Sequence, residues 1–416
     1  MKKNSKYVQN CIFYAMKRPL LVAQIFGYFP LYGTNSDPTC LKFKWISFKT
    51  TYSVFTLFVT FFIAVCQLHK MIAVEMNILQ MNYFVFLLCS ILVNIAFIKL
   101  ATEWPQLMKA WLKIELLVGN LGMRRNFRKK LDFIFTFITL LTIVEHLLME
   151  LSRAIDSVAC SKTVSDGIRH YYVNVTFPHL FNGLVDYSLW KALIFQISNL
   201  QTTFGGTFGD TFIILLSMAF ATRMKQSRTK IEALVKSHVK ATTPWRKIRE
   251  EQCSLLYLCT LLEQKISYLV LLSFCSNLYF VLVQLFSALK QMGDTLQKTY
   301  FFISFGILIF RIIFVSLSAA SINEESRKIL ILLLSTPSEL YSVEVERLTN
   351  QINYKAMAIS GKNFFIITRG LILKIAGAVV TYELVLIQFN KKLLNEFDET
   401  SVQQLEILHN NTYWLC

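Results

Sequence analysis

Ile78–Ile98 reads ILQMNYFVFLLCSILVNIAFI, a run with no Asp, Glu, Lys or Arg. About 20 such residues in a helix cross a hydrocarbon layer of about 30 Å, and in that layer only a helix or a closed barrel satisfies its own backbone. Six further apolar blocks share the pattern: Thr51–Leu68, Leu131–Ser152, Ser188–Ala221, Leu262–Ala288, Tyr300–Ser321 and Asn363–Asn390. All seven prolines (Pro19, Pro30, Pro38, Pro105, Pro178, Pro244 and Pro337) fall outside these blocks, as an unbroken hydrogen-bond ladder in lipid favours. The expected fold is an all-α membrane protein with seven transmembrane helices. The fourth block is long and holds Gly205, Gly206 and Gly209, which leaves a kink or an eighth crossing open there.

Working outward, the connections between blocks orient the chain. The whole sequence of 416 residues is 54% hydrophobic and only 17% charged, yet 43 Lys and Arg against 26 Asp and Glu give a net charge of +17. A soluble chain of this length breaks up its apolar residues, and a nucleic-acid binder this basic carries far more charge. Residues 1–50, 99–130, 222–261 and 322–362 hold 30 of the Lys and Arg, whereas 69–77, 153–187, 289–299 and 391–416 hold 8. Basic side chains accumulate on the cytoplasmic face, so the N-terminus is expected inside and the C-terminus outside. The first set carries a net +19, a charge that matches anionic inner-leaflet lipid and calls for no nucleic-acid partner. The glycosylation acceptors at Asn174 and Asn410 then both fall outside, as they must to be used. This orientation is opposite to that of G-protein-coupled receptors.

The expected organisation is a cytoplasmic segment over 1–50, a six-helix bundle over 51–321, a cytoplasmic connection over 322–362, a last helix over 363–390 and an extracellular tail over 391–416. The inner connections have helical periodicity of their own. Trp104, Leu107, Met108, Trp111, Leu112 and Leu116 form one stripe, and Ile231, Leu234, Val235, Leu255, Leu256 and Leu262 suggest others. Such helices either lie on the inner leaflet or pack into a cytoplasmic subdomain.

No enzyme is expected. GxGxxG, GxxxxGK[ST], HExxH and GxSxG are all absent, and the six histidines are scattered over different segments. The nine cysteines form no CxxC pair; Cys160 and Cys416, the two in clearly outer segments, are either free or paired. Glu145, His146 and Glu150 on one helix do not make a complete metal set, so neither a metal nor another cofactor is anticipated.

Ionisable residues inside an apolar span are costly, and by default they mark function or a partner. Here they are Glu145, His146, Glu150, Asp210, Arg311, Arg369, Lys374 and Glu383. The orientation places Glu145, His146 and Glu150 in the outer half of the third span. At the same depth are Asn82, Tyr83, Asp186, Tyr187, Trp190, Asn277, Tyr279, Gln284 and Tyr300. Carboxylates and amides bond vicinal hydroxyls while aromatic rings cover C–H faces, so the set suits a polyol. Tyr and Trp at span ends also serve as interfacial belts.

The last block, NFFIITRGLILKIAGAVVTYELVLIQFN, carries Lys374, Gly377 or Ala378, Thr381, Val385, Gln388 and Lys392 near one helical face, with Phe389 adjacent. That stripe lines an aqueous path or a helix interface. Its Thr381–Phe389 stretch, TYELVLIQF, resembles the TYxxxxxQF signature of insect gustatory receptors. AQIFGYFPLYG (Ala23–Gly33), EWPQLMKAW (Glu103–Trp111), VEHLLMELS (Val144–Ser152), NLYFVLVQL (Asn277–Leu285) and SLSAASINEESRKIL (Ser316–Leu330) narrow the resemblance to the sugar-taste clade. It covers residues 20 to 390.

The resemblance implies a sugar-gated, non-selective cation channel at the plasma membrane of sensory dendrites, a homo- or hetero-tetramer with related subunits. It implies a mono- or disaccharide in the outer half of the bundle near Glu145 and His146. It places the last helix along the pore, with Gln388 and Phe389 at the gate. The alternative is a pore-forming co-receptor subunit that does not itself bind the tastant. One departure is that Lys391 and Lys392 follow the signature, leaving Glu396, Asp398 and Glu399 to attract cations.

Overall fold

The computed structural model describes residues 12–73, 78–118, 125–159, 161, 163–182, 184–288 and 295–401. Its helices are α1 (Ile12–Ile25), α2 (Phe48–Ala73), α3 (Ile78–Val118), α4 (Arg125–Ala159), α5 (Val164–His170), α6 (Pro178–Phe181), α7 (Leu189–Lys236), α8 (Thr242–Ala288), α9 (Thr295–Leu334), α10 (Val343–Tyr354) and α11 (Arg369–Ser401). A π-helical turn, Tyr171–Thr176, joins α5 to α6. The strands are a minimal antiparallel pair, β1 (Ser360–Gly361) and β2 (Phe365–Ile366), between α10 and α11. Among the described residues, α2, α3, α4, α7, α8 and α9 are long and apolar enough to cross a membrane. Five expected blocks lie within α2, α3, α4, α8 and α9, each of which extends beyond its block; Ser188–Ala221 starts one residue before α7, and Asn363–Asn390 starts six residues before α11, with β2 in its first part.

α7 is the axle. Its apolar stretch is 83% buried, against 28–44% for the other five, and α3, α4, α8 and α9 all pack on it. A helix enclosed on all sides must satisfy its polar side chains internally. Thr203 and Thr211 accordingly donate to the carbonyls of Asn199 and Thr207, one turn back, at 3.0 and 2.8 Å. The helix runs unbroken through Gly205, Gly206 and Gly209. Those glycines provide clearance instead: a Cβ on Gly205 would lie 2.0 Å from the Tyr28 hydroxyl, and one on Gly206 meets nothing within 4 Å.

α2 reverses the amphipathicity of a soluble helix. Phe55, Phe58, Phe61 and Val65 are exposed, while Thr50, Ser53, Thr56 and Thr60 face the protein. Surroundings as apolar as the side chains offer no hydrophobic reward for turning Phe inward, so small and hydroxyl residues take the close contact with α3.

Below the expected spans, the helices do not lie flat. The lower halves of α3, α7, α8 and α9 continue and pack together with Trp104, Trp111 and Trp245 fully buried. Pro105 lies inside α3, and Leu116 at the end of its stripe is exposed. The stretch after α1, expected as part of an inner segment, inserts Tyr28, Phe29 and Leu31 into the core. Phe29 sits edge-on to Trp104 at 5.3 Å, and Phe97, Phe208 and Phe212 close an aromatic cluster worth about 0.5–1.5 kcal/mol per pair beyond area burial.

Buried ions are paired in this lower region. Arg223 of α7 pairs with Glu115 of α3, whose carboxyl burial pushes above its ordinary value, with the nearby Arg223 charge opposing. Arg228 bonds Glu325 at 2.9 Å, and Arg249 bonds Glu344 at 2.7 Å, tying α7 to α9 and α8 to α10.

Candidate functional site

The upper halves of α3, α4, α7, α8 and α9 splay around a cavity of about 550 Å³, within the range of small-molecule sites. α4 contributes one stripe: Glu145, Met149 and Arg153 recur every fourth residue, and His146 stands beside them. α3 contributes Asn82, Tyr83, Phe86 and Ser90, α8 contributes Ser273, Ser276, Phe280 and Gln284, and α9 contributes Tyr300, Ser304 and Arg311. On α7, Asn199, Thr202, Thr203, Thr207 and Asp210 face in, and the bare backbone of Gly206 and Gly209 leaves room. Val175 of the π-helical turn closes one side.

Three polar networks flank the space, two of them at one end. At one end Ser304 donates to Glu145 Oε1 at 2.7 Å, and Gln284 Nε2 donates to the Ser304 hydroxyl at 3.2 Å. His146 Nδ1 is 3.3 Å from the Thr203 hydroxyl. The proton of that hydroxyl is directed to the Asn199 carbonyl, which makes the imidazole the donor. Glu150 stands behind this wall, holding hydrogen bonds from Tyr171 and from Asn199 Nδ2 at 2.9 Å, and His146 Nε2 lies 3.9 Å away.

At the other end Arg311 Nε donates to Asp210 Oδ2 at 3.1 Å and Arg311 Nη2 to Asn277 Oδ1 at 2.8 Å. Asn277 Nδ2 in turn donates to Asp210 at 3.0 Å, and Ser273 donates to its other oxygen. The result is an enclosure with aromatic walls, hydroxyls and amides all round, and a carboxylate at each end.

The sequence matches the family model described as "Trehalose receptor" over residues 1–396. The chain belongs to this family of gustatory receptors. The family's gustatory receptor for sugar taste 64f from Drosophila melanogaster is 31% identical over 383 residues, covering 91% of this chain and 80% of that one. Gustatory receptor 5a for trehalose, also from Drosophila melanogaster, is 29% identical, covering 89% of this chain and 84% of its own length. In three dimensions the gustatory-receptor fold is similar to that of the insect olfactory receptor OR5 from Machilis hrabei in complex with eugenol, with a TM-score of 0.68 at 15% identity. The match covers 90% of this chain and 97% of that one.

Of the residues read as ligand-binding from the sequence of this gustatory receptor, Tyr83, Glu145, His146, Gln284 and Tyr300 line the cavity, as does Asn82. Glu150 and Asn277 stand one layer back, each bonded to a lining residue. Asp186 is exposed just before α7 and Trp190 on its first turn. Tyr187 packs edge-on against Phe181 and Tyr279 against Phe280, and neither lines the space. The sequence reading placed Asp210 and Arg311 inside spans without pairing them, and it left out Asn199, Thr202, Thr203, Thr207, Ser273 and Ser304. For the α7 members the signal is the polar run NLQTTFGGTFGD (Asn199–Asp210) inside an otherwise apolar block, whereas Ser273, Ser304 and Arg311 stand singly in theirs.

α11 packs on α8 and α9, seating Val379 against Val281, Leu285, Leu308 and Ile312. Arg369 at its start pairs with Glu324. Its other side is uncovered: Lys374, Gly377, Thr381, Val385 and Gln388 are all exposed, so the polar stripe faces away from the chain's own bundle. For Phe389 and Lys392 only the helical backbone is described, and the same holds for Glu396, Asp398 and Glu399. Asn174 is exposed on the π-helical turn, whereas Asn410, Cys160 and Cys416 lie outside the described residues.

Proposed function

We propose that this gustatory receptor is a subunit of a sugar-gated, non-selective cation channel at the plasma membrane. The observation that carries this reading is the cavity, whose lining alternates hydrogen-bonding groups with aromatic faces, with Glu145 and Gln284 joined through Ser304 and His146 bonded to Thr203. A hydroxylated ring finds acceptors at both ends and flat apolar contact at Tyr83, Phe86, Phe280 and Tyr300. In this reading α11 is the seventh crossing, the N-terminus is cytoplasmic and the C-terminus extracellular. Four copies, of this chain or with related subunits, surround a pore lined by the exposed stripe of α11, with Gln388 and Phe389 at the gate. The uncovered α11 stripe supports assembly, because a lone polar stripe in lipid is unfavourable and four of them around water are not.

Sugar opens the pore only if it binds the open arrangement more tightly. A hundredfold preference supplies about 2.7 kcal/mol per site, and several sites sum. The test is whole-cell current from this chain expressed alone against a panel of mono- and disaccharides, in wild type and Glu145→Ala. Loss of a hydrogen bond to a charged acceptor costs about 1.5–3 kcal/mol, so the dose-response midpoint is expected to rise tenfold or more. An unchanged midpoint removes Glu145 from the site. Current only when a second receptor subunit is supplied supports the co-receptor reading instead.

A further inference from the structure

Arg153 stands out among the charges of the cavity. Arg311 is bonded to Asp210, Thr207 and Asn277. Glu145 accepts from Ser304, and Glu150 has both oxygens engaged by Tyr171 and Asn199. Arg153 lines the same space, near enough to Tyr83, His146 and Tyr300 for its charge to act on all three. Among the described residues its guanidinium has no hydrogen-bond or ion-pair partner.

A guanidinium in a half-enclosed, low-dielectric wall is unfavourable unless something answers it. Nothing in a neutral sugar does so fully, since hydroxyls accept its N–H groups without neutralising the charge. A carboxylate does both, in a bidentate geometry that the planar fork matches. Arg153 lies two turns along α4 from Glu145, about 12 Å by helical rise, a separation that two long side chains narrow to the length of a sugar. Glu145, which accepts from Ser304 and has no ion-pair partner among the described residues, is the negative charge at the far end of that stretch. An acidic sugar is therefore oriented, with its hydroxyls toward Glu145, Ser304 and Gln284 and its carboxylate toward Arg153.

We propose that Arg153 is a specificity-determining residue that admits carboxylate-bearing sugars, hexuronates and their glycosides, to this cavity. The inference rests on the cavity being the sugar site. The probes are D-glucuronate and D-glucuronamide, which differ only in the charge of one end, alongside glucose, maltose and trehalose as neutral references. The measurement is the ligand-induced rise in melting temperature of the purified full-length protein in lipid nanodiscs, titrated for each probe, so that it does not depend on gating.

In wild type, glucuronate is expected to act at a concentration at least tenfold below glucuronamide. In Arg153→Gln that preference vanishes while the neutral sugars shift less than threefold, and Arg153→Lys recovers part of it, as a merely structural arginine would not. Glucuronate no better than glucuronamide in wild type, or a preference that survives Arg153→Gln, overturns the proposal while leaving the sugar site standing. Silent neutral sugars with an Arg153-dependent glucuronate response remove the sugar reading and keep the acidic ligand. Silence from all five probes overturns both.

Discussion

Replacing Arg311 with Met tests whether the Asp210 network is an integral part of the bundle. Asp210 is almost completely buried and accepts from Arg311, Asn277 and Ser273, while Arg311 is itself largely buried and bridges α9 to α7 and α8. Arg311→Met preserves most of the side-chain volume but leaves a carboxylate enclosed with only two neutral donors. Breaking one partner of a buried pair costs about 3–5 kcal/mol, because the remaining charge has lost its counter-ion and cannot return to water. That is a large share of a total stability of about 5–15 kcal/mol. The doubly changed protein, Asp210→Leu with Arg311→Met, removes both charges and is expected to recover at least half of the loss, since burying two apolar side chains carries no desolvation penalty. The assay is thermal unfolding of detergent-solubilised protein followed by size-exclusion chromatography, with wild type, both single variants and the double variant forming a cycle. If Arg311→Met melts within error of wild type, or the double variant is as unstable as the sum of the singles, the charges are not coupled and the network does not hold the three helices together.

Other consequences follow from particular positions. Gly205→Ala is expected to lower the melting temperature by forcing the Tyr28 ring aside, whereas Gly206→Leu projects into open cavity, leaving stability near wild type and weakening the sugar response; equal loss of stability in both refutes the clearance argument. Hydrogen bonding from Arg249 holds the Glu344 carboxyl below its ordinary 4.5, and although burial opposes it, Lys328 and Arg228 hold Glu325 below that value as well. Depressed folded values mean that this stabilisation is complete above the unfolded pKa of about 4.3 and is lost as pH falls through the folded values. The part of the melting temperature that these two carboxyls set should thus be flat from about pH 7 to 5 and fall below about pH 4, with Glu344→Gln flattening part of the acid limb. Asn174→Gln should reduce an endoglycosidase-sensitive gel shift by one glycan if the π-helical turn is extracellular; a shift identical in wild type and Asn174→Gln contradicts use of this acceptor in that orientation.

Much of the architecture was legible because lipid imposes a one-dimensional rule. Ile78–Ile98 without a charge, and the six blocks like it, declare helices from length and composition alone, and the Lys and Arg totals give the expected orientation. The stripe from Trp104 to Trp111 declared a buried face, though not whether that face met lipid or protein; the packing of Trp104 against Phe29 and Phe212 decided for protein. The glycines of α7 were the least legible. Gly205 accommodates Tyr28, a residue far away in sequence, and no local pattern states who the neighbour is.

The site divides in the same way. Glu145 and His146 were visible because a charge inside an apolar span is costly wherever it points. Trp190 and Tyr279 had equal claims by residue type and depth, but Trp190 is exposed and Tyr279 packs on Phe280 without lining the cavity, because depth along a helix is set by position in the chain whereas direction is set by which helices surround it. The sequence by itself determined a polar-studded bundle of membrane helices and its family. Only the tertiary structure decided that Asp210 is answered by Arg311 while Arg153 is left to face the cavity. Pairing of buried charges depends on distances between helices, and residue identity carries no information about those distances until the helices are packed.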